Sequence, residues 1–312
     1  MLNKQIDQLP ETVQEVLKVA SVAGMQFTTA MVASGAEAET GLIDDALTWA
    51  ASKSYFLQAQ GIESWPDSTV SGAYQFGHAL YRQVLYDRLS AEQCVKWHRL
   101  MAERLERAYI DDVEPVVGLL AYHFVQGRDV PRALQYLHRA SLKALGRYAA
   151  NESIAHLNAA LELLPALPSE QNRVQMEYDL QVTLGKAIIS RRGVRVPEAL
   201  AAYERAYQLG VAIGDVEQLF PTLVGLENIA CIQAKFQQSQ HLGGQLLNYA
   251  QMTGNPLHLA HAYGALSLNH SMQGHILVAN HYAQVCQRLP TTCGAIPLTP
   301  STRFSFVSAG MP

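Results

Sequence analysis

A forty-residue segment that occurs twice in the C-terminal half constrains the fold of this chain most strongly. One copy opens with Gly214-Asp215-Val216-Glu217-Gln218-Leu219 and the other with Gly254-Asn255-Pro256-Leu257-His258-Leu259. The apolar positions then coincide, as Leu219 with Leu259, Leu226 with Leu266, Phe236 with Ile276 and Leu242 with Tyr282. One hairpin of this length cannot bury its apolar face alone, so neighbouring hairpins must stack. The repeat therefore predicts a mainly all-α chain built as an α–α superhelix.

Helical periodicity extends well beyond the two copies. From residue 91 to about residue 289 the chain alternates amphipathic segments with short Gly- or Pro-containing loops. Small residues recur at the spacing A-x-x-x-[YL]-x-x-A, in Ala133, Leu137 and Ala140 and again in Ala199, Tyr203 and Ala206. This spacing is similar to the second helix of a tetratricopeptide repeat, and it also fits any tightly packed helical hairpin. We expect tetratricopeptide-like repeats over 91–289.

A different pattern fills residues 4–90. Pro10 and Glu11 open a helix that Gly24 ends, a short helix follows Phe27, and a third is expected from about Glu39 to Ala51. Two strand-like runs follow, at 54–60 and 73–76, joined by a turn-rich segment from Gly61 to Gly72. Three helices followed by a β-hairpin predict a winged helix.

Winged helices often bind DNA through their third helix, but the charges here oppose that use. Glu37, Glu39, Asp44 and Asp45 lie on or just before that helix and would repel phosphate groups. The whole chain carries a net charge of -4 and has a pI near 6.3. We therefore expect the winged helix to pack against protein, with no nucleic-acid partner.

The remaining composition predicts a soluble, reduced protein. The four cysteines, Cys94, Cys231, Cys286 and Cys293, form no C-x-x-C pair and are too scattered for a disulfide framework. No run of apolar residues has the length of a signal peptide or a membrane span. These features predict a cytoplasmic location and no membrane partner.

The change from strand to helix at Tyr74-Gln75-Phe76-Gly77-His78-Ala79-Leu80 is the most readable local landmark. Together with the segments Ile6 to Pro10, Leu17 to Phe27 and Trp97 to Glu106, it resembles the middle of bacterial STAND-type signalling ATPases. The resemblance covers residues 4 to about 283. It implies a winged helix and a tetratricopeptide superhelix that follow an AAA-like nucleotide domain, often behind a nucleotide cyclase, a kinase or a transcription-activation domain.

The chain departs from that family pattern at both ends. It contains no G-x-x-x-x-G-K-[ST] phosphate loop, and the nearest dipeptide, Gly185-Lys186, lies within a helical pattern. ATP or ADP would therefore be bound only through a separate P-loop domain. Residues 290–312 abandon the helical pattern where another hairpin is expected, which predicts an irregular, disordered tail. A truncated or frame-shifted gene product would have the same appearance.

Two interpretations of His78 follow. The resemblance implies that this histidine contacts the β-phosphate of ADP held by an ATPase domain in trans. Alternatively, its imidazole bonds a local carbonyl and orients the turn from strand to helix.

Other chemistry is sparse. The six histidines of the C-terminal third, His241, His258, His261, His270, His275 and His281, do not have the spacing of a known metal site. No G-x-S-x-G or H-E-x-x-H motif occurs, and we name no catalytic residue and no metal ligand. The sequence therefore predicts a chain that is not an enzyme.

Binding is the remaining kind of activity. Aromatic and amide side chains recur along the repeats, and most aromatic ones should pack in the core. The candidates for contacting a protein partner or small effector are Tyr203, Tyr207, Asn228, Gln233, Gln237, Tyr263 and Asn269. We expect a non-catalytic, effector-sensing module of a STAND-type ATPase. The alternatives are a regulatory fragment of a multidomain ATPase with a cyclase or kinase part, and a DNA-binding transcription factor.

Overall fold

The computed structural model describes residues 2–53 and 56–289, without the side chains of Leu2 and Val216. The chain divides into two compact units. Among the described residues, unit 1 comprises the chain up to Lys143 together with Asn158–Leu167, and unit 2 comprises Ala144–Leu157 together with the chain from Pro168 to residue 289. The predicted strand start at 54–55 and the predicted tail at 290–312, with Cys293, lie outside the described residues.

The described chain is mainly helical with one small sheet, as predicted. Unit 1 contains α1 (Leu2–Asp7), α2 (Glu11–Ala23), β1 (Gln26–Thr28), α3 (Thr29–Ala36), α4 (Thr40–Ser52), β2 (Leu57–Ser64), β3 (Val70–Phe76), α5 (Ala79–Tyr86), α6 (Ala91–Ala108) and α7 (Val117–Gln126). Helices α8 (Val130–Gly146) and α9 (Ala150–Leu163) have residues in both units. Unit 2 continues with α10 (Glu170–Arg192), α11 (Pro197–Ile213), α12 (Val216–Ile232), α13 (Phe236–Thr253), α14 (Pro256–Met272) and α15 (Ile276–Gln287).

The first three predicted helices of unit 1 are confirmed as α2, α3 and α4. Thr28 caps α3, because its hydroxyl oxygen accepts a hydrogen bond from the Met31 amide. The sequence pattern did not predict α1 or β1. Strand β1 adds an antiparallel partner to β3, with Phe27 opposite Tyr74, and gives a sheet of order β1-β3-β2.

The predicted turn between the hairpin strands is too long. The structure continues β2 to Ser64 and starts β3 at Val70, and the turn is closed by the Trp65 amide bonding the Thr69 carbonyl at 2.9 Å. The sequence pattern did not show residues 61–64 and 70–72 as parts of these strands. A bulge between Ala59 and Gly61 shifts the register. Strand β2 also lies at the sheet edge with every residue after Leu57 exposed, so its side chains show no apolar alternation.

The core of unit 1 gathers apolar side chains from the sheet and from α2 to α7. Its fully buried members include Leu17, Leu47, Phe56, Leu57, Phe76, Leu85, Met101, Leu120 and Phe124. Helix α6 starts at a capping box made by Ser90 and Gln93 and packs on α3. The predicted module boundary between residues 90 and 91 thus coincides with a helix start, while unit 1 continues to Lys143. The predicted domain limits stay predictions.

Unit 2 confirms the helical-hairpin repeat and extends it to a third hairpin. Helices α10, α12 and α14 end at Arg192, Ile232 and Met272, forty positions apart. Gly214 and Gly254 both take a left-handed backbone, with φ of 78° and 66°, and each is followed by a side-chain N-cap. The dipeptide Gly185-Lys186 lies inside α10, as its helical pattern predicted.

Tyr203 on α11 is held between two glycines at equivalent repeat positions. A Cβ atom on Gly185 of α10 would lie 2.6 Å from its ring, and a Cβ atom on Gly225 of α12 would lie 2.3 Å from it. Both distances are shorter than real contacts allow. The two glycines therefore provide the space in which this ring joins successive hairpins.

No helix among residues 2–53 and 56–289 combines the length and apolar character needed to cross a membrane.

Replacing Gly225 by alanine tests this packing. Alanine favours a helix by about 1 kcal/mol over glycine, but the clash with Tyr203 should cost about 1–3 kcal/mol. We expect Gly225→Ala to lower the free energy of unfolding of unit 2, as measured by urea denaturation.

The matched control is Gly244→Ala on α13, where an added Cβ meets no atom within 4 Å. This change should stabilise the helix or leave it unaffected. Equal effects of the two substitutions would contradict the close approach at Gly225.

Candidate functional site

The structure separates the seven predicted partner-binding residues into two groups. Tyr203 and Asn269 are buried, with 3% and 0% of their surface exposed. Tyr207, Asn228, Gln233, Gln237 and Tyr263 are partly or fully accessible. Their role in binding stays a prediction, but only the accessible five present side-chain surface to a partner. Burial was hidden in the sequence because tyrosine and asparagine also suit a binding surface.

Asn228 belongs to an accessible row along α12. We call this row the α12 stripe, and it consists of Glu217, Pro221, Val224, Asn228 and Ile232. Their spacing of three or four residues places them on one face of the helix.

Helix α14 carries the same row forty residues later. This α14 stripe consists of Leu257, His261, Gly264, Leu268 and Met272, and each member is exposed or half-buried. Helices α12 and α14 contact each other within unit 2. The two stripes combine mainly apolar side chains with one amide, one imidazole and one carboxylate, a composition that suits contacts with a peptide rather than with phosphate.

Stacked rings hold the two helices together beside the stripes. The Phe220 ring lies on the His258 imidazole with centroids 3.9 Å apart and planes 14° apart. In the last described hairpin, Tyr282 stacks on Tyr263 and on His270, at 6.2 Å and 5.7 Å. Several of the C-terminal histidines therefore pack against aromatic rings. Within the described residues, no three His, Cys, Asp or Glu side chains converge to hold a metal ion.

Asn269 takes part in a buried polar network that joins α12, α13 and α14. Its amide nitrogen donates to the Ser239 hydroxyl at 2.6 Å and to the Phe236 carbonyl at 3.1 Å. The Ser239 hydroxyl in turn donates to Glu227 at 2.7 Å. Burial raises the pKa of the Glu227 carboxyl, and the bond from Ser239 partly opposes that rise.

Sequence reasoning missed Glu227 and Ser239, although the repeat held a signal for them. In the preceding hairpin the equivalent positions are Ala187 and Ala199, both buried. Where one repeat has a polar residue and the preceding repeat has alanine at the equivalent position, the two hairpin contacts differ in polarity.

In unit 1, His78 is exposed and forms the N-cap of α5. Its Nδ1 atom accepts a hydrogen bond of 3.1 Å from the Leu80 amide. The local interpretation is thus corrected in one respect, since the partner is an amide N–H and not a carbonyl: Nδ1 accepts, and therefore cannot also donate in this geometry. Contact with ADP stays a prediction.

A buried histidine pair, which sequence reasoning also missed, lies between α6 and α7. His98 and His123 have no exposed surface, and their Nδ1 atoms are 2.8 Å apart. The Nε2 atom of His98 lies 3.1 Å from the Tyr86 hydroxyl at the end of α5, whereas the Nε2 atom of His123 has no hydrogen-bond partner among the residues the structure describes.

The geometry requires at least one of the two imidazoles to be neutral. One Nδ1 must donate a proton to the other, because two protonated Nδ1 atoms would face each other across 2.8 Å. Burial and, to a smaller extent, the nearby Arg82 guanidinium lower the pKa of His98 to about 4. Burial, followed by the proximity of His98 and Arg82, lowers the pKa of His123 to about 3. The pair therefore remains uncharged at neutral pH.

No protein-family model matches the chain, and no match was found among curated proteins. Among solved structures, the chain is similar to a signal transduction ATPase with numerous domains (STAND) with a tetratricopeptide repeat sensor from Pyrococcus horikoshii. The identity is 10%, the alignment covers 91% of this chain and 51% of that chain, and the TM-score is 0.44. The chain thus spans about half the length of that protein.

The histidine pair predicts an acid-dependent loss of stability in unit 1. As pH falls below the ordinary histidine pKa of about 6.5, His98 and His123 each take up a proton in the unfolded chain. In the folded chain they take up these protons only near their lowered pKa values of about 4 and about 3. The free energy of unfolding should therefore decrease over this interval and show no contribution from the pair above it. The measurement is urea denaturation of unit 1 at pH 4 to 8.

His123→Phe supplies the test. It removes one of the two protons, so the slope over the acid interval should fall by about 1.4 kcal/mol per pH unit. The unpaired His98 Nδ1 should cost about 1–3 kcal/mol at neutral pH. Ile62→Thr, at an exposed strand position, is the control and should keep the wild-type slope. A slope unchanged by His123→Phe would show that the pair is not the origin of the acid sensitivity.

Proposed function

We propose that this chain is a non-catalytic interaction and effector-sensing module of a STAND-type signalling ATPase. The observation that carries the proposal is the pair of accessible stripes on α12 and α14, which repeat at the same forty-residue spacing as the helices. A surface that repeats with the fold offers equivalent contacts at regular intervals to an elongated partner. The partner-binding candidate Asn228 lies within the first stripe.

The chemistry of the stripes favours a protein segment as partner. Apolar contacts are offered by Val224, Ile232, Leu257 and Met272, and Asn228 can donate and accept hydrogen bonds. Methionine adapts its shape to different apolar partners. A peptide with apolar side chains and a free backbone donor or acceptor would use both kinds of contact.

The placement of unit 1 in the proposal comes from its sequence resemblance and its elements. Helices α2, α3 and α4 with a three-stranded antiparallel sheet support a winged helix. The acidic side chains Asp44 and Asp45 on α4 favour its use in protein packing. A nucleotide domain supplied by another chain or segment would then contact the exposed His78.

Signalling in such a module requires that the partner bind two states with different affinity. Binding at the stripes would change the packing of the helical hairpins, and this change would alter a nucleotide domain held by unit 1. Catalysis and ATP hydrolysis then belong to that other domain.

Peptide binding at the stripes is the first test. Peptides would be selected by phage display against the whole chain, and their affinity measured by fluorescence anisotropy. We expect Asn228→Glu with Leu257→Glu to weaken binding at least tenfold, because each stripe then presents a charge in place of a neutral side chain. Both positions are accessible, and Leu257 lies in the first turn of α14, where a glutamate suits the helix.

Asn248→Glu, at an exposed position of α13, is the matched control and should leave the peptide affinity unchanged. Binders that tolerate both sets of changes would contradict a binding surface at the stripes.

Measuring ADP binding distinguishes a module without a nucleotide site from an ATPase. Titration of the purified chain with ADP should show no heat of binding, whereas a mixture with a P-loop domain should bind. In that mixture His78→Ala should weaken ADP binding, and His78→Asn, which retains a capping side chain, distinguishes loss of the cap from loss of the imidazole. Micromolar ADP binding by the chain alone would overturn the proposal of a module without a nucleotide site.

A further inference from the structure

We propose that the contact between the α12–α13 hairpin and α14 is a built-in joint, at which the repeat array opens more readily than at the preceding hairpin contact. The joint is formed by Glu227, Ser239 and Asn269, one residue from each of the three helices. It stands on the packing of unit 2 alone and does not depend on what binds the stripes.

The repeat register shows that this polar interior is exceptional. Forty residues earlier, the equivalents of Glu227, Ser239 and Asn269 are Ala187, Ala199 and Ile229.

These three equivalents are all buried, and Ala199 and Ile229 belong to one apolar cluster with Tyr203. The same structural positions are therefore apolar at one hairpin contact and polar at the next.

The hydrogen bonds of the joint run in one direction. Gln273 at the C-cap of α14 donates to the Asn269 side-chain oxygen at 2.5 Å, Asn269 donates to Ser239, and Ser239 donates to Glu227. Asn269 and Ser239 each accept a hydrogen bond on one side and donate one on the other. The chain of bonds ends at a carboxyl that is only 5% exposed.

Glu227, at the end of this series of hydrogen bonds, is the group whose burial costs most. Among the described residues no cation forms an ion pair with Glu227, so its ionised form is buried without a neighbouring positive charge. Replacing buried polar groups by apolar ones of similar volume is often neutral or stabilising, because the polar groups must be desolvated when the interface forms. Opening the joint returns Glu227 to water and recovers that cost.

Ionisation makes the opening depend on pH. The pKa of Glu227 is raised in the closed interface, so the closed form holds its proton where the open form releases it. Closing is therefore most favourable at pH values below the ordinary glutamate pKa. It becomes less favourable as the pH rises towards the raised pKa of Glu227 in the closed form. The titratable group beside Glu227 is Cys231, whose thiol pKa is raised to about 11, and the facing groups on α13 and α14, Ser239 and Asn269, do not titrate here.

Hydrogen exchange measured by mass spectrometry on the whole chain tests the joint. The variant Glu227→Ala with Ser239→Ala and Asn269→Ile installs the residues of the preceding hairpin contact, and the larger isoleucine offsets the volume lost at position 227. We expect protection of the α14 and α15 amides to rise at least tenfold, with α10 and α11 unchanged. Asn248→Ala serves as the surface control and should leave all four helices at wild-type protection.

A folded triple variant with unchanged protection in α14 and α15 would overturn the joint, since those helices would then open for another reason, such as their place in the array. If the triple variant does not fold, Glu227→Gln decides. It keeps an acceptor for Ser239 and removes the charge. In the wild type, the protection factors of the α14 amides should decrease as the pH is raised from 5 to 8. In Glu227→Gln they should stay constant. Parallel pH profiles would overturn the proposal.

Discussion

The apolar face that each helical hairpin must hide from water is the constraint on which unit 2 depends. A hairpin of about forty residues has too little interior to be stable by itself, so its fold is fixed by the neighbour it packs against. Tyr203 shows how close that packing is, because its ring fills the space left by two glycines on α10 and α12. Everything that distinguishes one hairpin from the next then appears either at this contact or on the accessible stripes.

Helix positions in unit 2 were largely predictable because the signals are local and repeated. Glycines with left-handed backbones, capping side chains and apolar residues at helical spacing all occur at the same register in successive hairpins. Unit 1 was less predictable. Strand β1 has only three residues and was not predicted, and β2 was predicted only as far as the bulge that shifts its register.

The candidate functional residues were also only partly predictable from the sequence. The sequence identified Asn228, on an accessible stripe, and Asn269, inside a polar network, by the same reasoning, because residue type does not reveal which way a helix face turns. The histidine pair of His98 and His123 was missed because its members are 25 positions apart and meet only when α6 packs on α7. His78 was visible because it lies where strand periodicity changes to helical periodicity. A local pattern can thus reveal a cap, but an interior contact between distant helices needs the fold.

The ring of Tyr203 also has a consequence for how this chain can change over evolutionary time. A side chain at position 185 or 225 and an aromatic ring at position 203 exclude each other, since the added atoms would occupy the same volume. A single substitution that adds a side chain at position 185 or 225 therefore overpacks this contact, and one that removes the ring at position 203 leaves a cavity. These positions, each on a different helix, should be inherited as a set, and homologues that lose the ring should be the ones in which the glycines are free to vary.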